Sequence, residues 1–150
     1  MNENGSSQGA VPAGAPLTSQ PSPPARILVV DDDEEILHLN TSLLARSGYE
    51  VDSVQDGAAA WDALELSNYD LVVTDNRMPK LTGVELLEKL RAARMDVPVI
   101  MATGIVPDGE FTQKPWLRPA ITLVKPYTIA ELLGAVKQVL RPMEIGRAHV

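Results

Sequence analysis

Leu71-Val72-Val73-Thr74-Asp75-Asn76-Arg77-Met78-Pro79 is the stretch that decides the fold. Residues 71–74 form a short apolar run bounded by turn-forming residues, as a buried strand does. Asp75 ends the run, and a proline turn follows. A carboxylate in that position points into a crevice rather than into a core. Upstream, Ile27-Leu28-Val29-Val30 ends in Asp31-Asp32-Asp33. Two parallel strands that deliver carboxylates to the same end of a sheet make a cation site.

Working outward, strands and helices alternate. Strands are predicted over 27–30, 49–54, 71–74, 97–102 and 120–124. Strand 49–54 is half polar, which suits a place near a sheet edge. The first helix, about 34–47, carries Ile36, Leu39, Leu43 and Leu44 on one face and has Gly48 at its end. A second helix spans 57–66 with Ala58, Trp61 and Leu64. A third begins after Thr82, which with Glu85 makes a capping box, and carries Val84, Leu87 and Leu90. Thr128 and Glu131 repeat the box before a helix with Ile129, Leu132, Leu133, Val136 and Leu140, which Pro142 is expected to end. Short Val/Ile/Leu strands alternating with amphipathic helices imply an α/β fold, a doubly wound five-stranded parallel sheet covered on both faces.

Two segments break the rhythm. Residues 1–25 are mostly Gly, Ser, Pro, Ala, Gln and Asn, and lack the apolar surface to offset ordering, so a disordered tail is expected. Residues 104–119 hold Pro107, Pro115 and Pro119 with Gly104 and Gly109. No helix of normal length fits between those prolines. Phe111, Trp116 and Leu117 are its apolar anchors, and the segment is expected either to be mobile and help form a partner surface or to be a loop whose Trp116 plugs the gap left by a missing helix.

The 150 residues suffice for one domain with a real core, and 45% are apolar. A net charge of −7 argues against nucleic-acid binding, which demands a basic face. The absence of cysteine rules out disulfides, thiolate metal sites and a cysteine nucleophile. No apolar run approaches the ~20 residues that span a bilayer, and no secretory signal opens the chain. No membrane partner is expected, and the cytoplasm is the expected compartment.

Asp31, Asp32, Asp75, Thr103 and Lys125 all fall at strand carboxyl ends, where open α/β sheets place their ligands. Crowded carboxylates repel, and a hard divalent cation such as Mg2+ relieves that repulsion through oxygen ligands. A nucleophilic aspartate can then accept a phosphoryl group as an acyl phosphate. Lys125 adds a second positive charge, and Thr103 offers a hydroxyl donor. Taken singly, each signal has a plainer reading. Asp33, Glu34 and Glu35 read as an acidic first turn favoured by the helix dipole. Asp75 alone could form a turn, and Thr103-Gly104 could be a strand end. His38 and His149 have no partners at ligand spacing and read as structural or solvated.

With these residues in this order, 26–141 resemble a response-regulator receiver domain of two-component signalling, with 142–150 left as a C-terminal tail. The resemblance implies a flavodoxin-like sheet of order 2-1-3-4-5. It implies that Asp32 binds Mg2+ directly, with Asp31 acting mainly through water. Asp75 would be the phosphoacceptor and a metal ligand, and the Arg77 carbonyl a further ligand. Thr103 and Lys125 would contact the phosphoryl group, and Lys125-Pro126 would be a cis peptide. The implied partners are a sensor histidine kinase or histidine phosphotransfer protein and an unknown downstream protein.

Two features depart from the pattern. Receivers usually carry an aromatic switch residue three positions before the lysine, where this chain has Thr122; the switch positions that the resemblance implies are Thr103 and Thr122. The regular fourth helix of receivers is shortened or missing at 104–119.

The expectation is a single-domain phosphoacceptor, signalling by protein contact or serving as a phosphate sink. It would be no enzyme beyond its own phosphorylation and dephosphorylation. Met1 and the tail suggest a natural start, although the chain could be a piece of a larger hybrid. One rival is a receiver that is never phosphorylated; Asp75, Thr103 and Lys125 argue against it. Another is a phosphatase of the haloacid dehalogenase type, but Glu35 stands where that family needs Thr or Val.

Overall fold

The computed structural model describes residues 23–104 and 114–149, with side chains as far as Arg141. Five strands form one sheet: β1 (Arg26–Val30), β2 (Glu50–Val54), β3 (Leu71–Asp75), β4 (Val99–Thr103) and β5 (Ile121–Val124). All are parallel, in the order β2-β1-β3-β4-β5. Four α-helices are described: α1 (Glu34–Arg46), α2 (Gly57–Leu66), α3 (Gly83–Ala92) and α4 (Ile129–His149).

The side-chain period of two along a strand divides the sheet between two cores. Leu28, Val30, Val72 and Met101 point to the face covered by α2 and α3. Ile27, Val29, Leu71, Val73 and Ile100 point to the face covered by α1 and α4. Central strands β3 and β4 are buried on both sides, which is why they read as unbroken apolar runs. In the outer strand β2, Val51 and Val54 are half-buried and Glu50, Asp52 and Ser53 exposed, in keeping with its half-polar sequence.

Local chemistry sets the helix starts. Asp33 caps α1 by accepting from the Glu35 and Ile36 amides, with Glu34 and Glu35 in the first turn. Both predicted capping boxes form, at Thr82/Glu85 and at Thr128/Glu131. The inward face of α1 differs from the expected one. Leu37, Asn40 and Leu44 are buried, while Leu39 is half exposed. Five aliphatics spread around this helix allow more than one stripe, and the sheet selects the stripe that fits beneath it. On α2 the buried positions are Gly57, Ala60 and Leu64, with Ala58 exposed and Trp61 partly covered.

Helix α4 runs past Pro142 to His149, where the sequence reading ended it. A proline deletes one backbone donor, and the turns on either side keep theirs, so it need not end the helix.

Between β4 and β5 the described residues carry only a 3-10 turn, Pro115–Leu117. Leu117 is buried against the α2/α3 core, whereas Trp116 is 64% exposed, so Leu117 and not Trp116 is the anchor. The expectations for 105–113 and for the tail at 1–22 lie outside the described residues.

Candidate functional site

The chain leaves β1 toward one edge, through β2, and returns to run from β3 toward the other. Strand order therefore reverses between the neighbours β1 and β3, and a crevice opens at their carboxyl ends. Asp31 directly follows β1, and Asp75 is the last residue of β3. Both are buried, at 3% and 7% exposure, while Asp32 is exposed. Carboxylate oxygens of Asp31, Asp32 and Asp75 lie within 4.8 Å of one another. Three hard oxygen donors in that space suit a divalent cation such as Mg2+.

Lys125 enters from the end of β5. Its Nζ is 3.5 Å from Asp31 Oδ2 and 3.4 Å from Asp75 Oδ1. Its backbone amide donates to the carbonyl of Thr103, the last residue of β4, at 2.9 Å. Thr103 itself is 1% exposed. The Lys125-Pro126 peptide is cis, as the resemblance implied. The four strand ends thus bring Asp31, Asp32, Asp75, Thr103 and Lys125 together. Arg77 is exposed in the loop after β3, and His38 is exposed on α1. Thr122 is half-buried in β5, paired with Met101 and two residues back from the rim pair of Thr103 and Val124.

The charges perturb one another. Burial raises the Asp31 carboxyl above its ordinary value, with Asp75 adding to the rise; the Asp33 amide and Lys125 oppose it. Burial pushes Lys125 down, but Asp31 and Asp75 together outweigh it and hold the ammonium above its usual value. Lys125 therefore stays charged through the neutral range.

The loop that follows Asp75 is pinned at several points. The Asn76 amide donates to Asp75 Oδ1 at 2.8 Å, and the Asn76 side-chain oxygen accepts from the Val84 amide at 3.0 Å. The Asn76 carbonyl accepts from Gly83 N–H at 2.9 Å. One side chain next to Asp75 thus serves as an additional cap for α3. A Cβ on Gly83 would sit 2.7 Å from the Asp75 carbonyl oxygen, and one on Gly57 would overlap the Leu81 carbonyl. Lys80 adopts a left-handed φ of 71° in this loop and pairs with Asp56 at 3.7 Å.

Comparison with known proteins agrees with this geometry. The family described as the response regulator receiver domain matches residues 27–137. The chain belongs to this family. Among relatives of this receiver, the alkaline phosphatase synthesis transcriptional regulatory protein PhoP of Bacillus subtilis is 38% identical over 123 residues. That match takes in 81% of this chain and 50% of PhoP, so the receiver spans about half the length of the curated relatives it matches. A Francisella response regulator receiver domain superposes with a TM-score of 0.73 at 28% identity, covering 79% of this chain and 98% of that one. TrrA of Thermotoga maritima, solved in complex with Mg2+-BeF, gives 0.67 at 32% identity over 77% and 99%. No helix among the described residues is long and apolar enough to cross a membrane.

The role of Asn76 and the bond between Asn40 and Tyr127 had escaped the sequence reading. Asn76 carries a weak local signal, an Asx residue a few positions ahead of a helix start. The hydrogen bond between Asn40 and Tyr127 carries none, because 87 residues separate the partners.

Proposed function

We propose that this receiver accepts a phosphoryl group from a phosphohistidine onto Asp75. The observation that carries the reading is the pocket of Asp31, Asp32 and Asp75 with Lys125 held against it. An Asp75 oxygen attacks phosphorus, the P–N bond breaks, and its electron pair leaves with the imidazole, which takes up a proton. Positioning and charge neutralisation dominate such a transfer. Bound at Asp31, Asp32, Asp75 and the Arg77 carbonyl, Mg2+ would neutralise charge on the phosphoryl oxygens.

Lys125 supplies a fixed positive charge on another side of the group. The Thr103 hydroxyl donates to a phosphoryl oxygen, and Thr103 with Thr122 forms the switch that reports the modification. The donor is a sensor histidine kinase or a histidine phosphotransfer protein met in the cytoplasm. Output passes by protein contact, and the only turnover is the domain's own phosphorylation and hydrolysis.

Incubation with acetyl phosphate and Mg2+ tests the reading. An added phosphoryl mass that EDTA abolishes is expected. Equal labelling without any divalent cation would contradict it.

A further inference from the structure

The acidic half of the site hangs from the start of α1, which begins just after Asp31-Asp32-Asp33. The cationic half hangs from the connection between β5 and α4, where Lys125 is followed two residues later by Tyr127. These halves do not adjoin in the sheet, since β3 and β4 stand between β1 and β5. Among the described residues, a side-chain bond besides the Lys125–Asp31 contact also spans them. The Asn40 amide nitrogen donates to the Tyr127 hydroxyl at 2.7 Å.

Asn40 is an unexpected residue at its position. It is 6% exposed, on the inward face of α1 that also buries Leu37 and Leu44. An amide in such a place is costly unless it is bonded, and an aliphatic residue would fill the space without that requirement. Packing alone therefore gives no reason for Asn40. Tyr127 gives one: its ring packs on the same core as α1 and α4. Its segment also carries Lys125, whose Nζ contacts both Asp31 and Asp75.

We propose that Asn40 and Tyr127 form a positioning pair that holds Lys125 in register with Asp75 for phosphoryl transfer. Asn40 anchors the pair on the helix that follows the aspartates, and Tyr127 carries the anchor to the segment of Lys125. Neither residue touches the phosphoryl group. The inference rests on Asp75 being the phosphoacceptor.

The test compares the full chain with Tyr127→Phe, Asn40→Leu and the double variant, using acetyl phosphate at saturating Mg2+. Tyr127→Phe keeps the ring and removes only the hydroxyl, so it remains informative if Asn40→Leu folds poorly. Each single change should lower the maximal phosphorylation rate about three- to tenfold, the scale of one buried hydrogen bond. The donor KM and the Mg2+ affinity should stay within about twofold, because transition-state positioning alone is lost. The double variant should be no slower than the slower single one. A lowered melting temperature with unchanged maximal rate would make the bond purely structural and overturn the proposal, as would multiplying losses in the double variant. Failure of the unsubstituted protein to label would remove the phosphoacceptor reading and this proposal with it.

Discussion

Lys125 Nζ lies 3.4 Å from Asp75 Oδ1, across the mouth of a sheet in which β4 separates their strands. The two residues are 50 positions apart in the chain, and only the parallel winding brings them together. The ammonium is one-quarter exposed, so water can replace part of what it gives to folding. Its larger contribution is expected in the reaction. Lys125→Ala should slow phosphorylation by roughly a hundredfold, the scale seen when one preorganised donor is removed, and should leave the folded circular dichroism spectrum in place. A variant that simply unfolds would make Lys125 a structural residue.

The loop after Asp75 gives a sharper steric test. Gly83→Ala should destabilise the domain by about 1–3 kcal/mol, since its Cβ would press on the Asp75 carbonyl and the Asn76 Cα. It should slow phosphorylation too, because the backbone that yields belongs to the site. Gly134→Ala is the control. Nothing lies within 4 Å of a Cβ there, inside α4, and the change should stabilise by about 0.5–1 kcal/mol. Chemical denaturation of both variants reads the two signs.

The capping boxes show why much of this was legible in the sequence. Thr82/Glu85 and Thr128/Glu131 are local devices complete within four residues, and both form as read. Strand-end placement of Asp31, Asp75, Thr103 and Lys125 followed from apolar runs that need no knowledge of partners. What stayed hidden depended on distant neighbours. The inward stripe of α1 was chosen by the sheet beneath it, and the use of Asn40 depends on Tyr127. Pro142 misled because a strong local rule was applied to one residue of a longer helix.

Metal binding should be visible as stability. The three carboxylates face one another within 4.8 Å, and a cation bound only by the folded state adds RT ln(1 + [L]/Kd). At a hundredfold excess over Kd, Mg2+ should raise the unfolding free energy by about 2.7 kcal/mol. Asp32→Ala removes the exposed member of the cluster and should erase most of that gain with little effect on the metal-free protein. Thermal melts with and without Mg2+ check it, and an unchanged gain in the variant would take Asp32 out of the ligand set.

At the opposite end of the sheet, Tyr69 is tied to Asp52 at 2.6 Å and lies under the Arg26 guanidinium. Burial first, then the hydrogen bond and charge of Asp52, push its phenol up to about 12. A raised folded pKa means that the folded state keeps the proton longer than the unfolded chain. The contribution of Tyr69 to stability is therefore complete below pH 10 and is lost as pH rises from 10 through about 12. Ultraviolet titration should show a late phenolate, and Asp52→Asn should move that transition to lower pH.

The central claim is that Asp75 is the phosphoacceptor, and intact-mass analysis tests it most directly. Wild type and Asp75→Asn are incubated side by side with acetyl phosphate and Mg2+. The wild type should gain one phosphoryl group, and Asp75→Asn should gain none, because an amide is a poor nucleophile. Labelling of Asp75→Asn at the wild-type rate would place the phosphoryl group elsewhere and contradict the account.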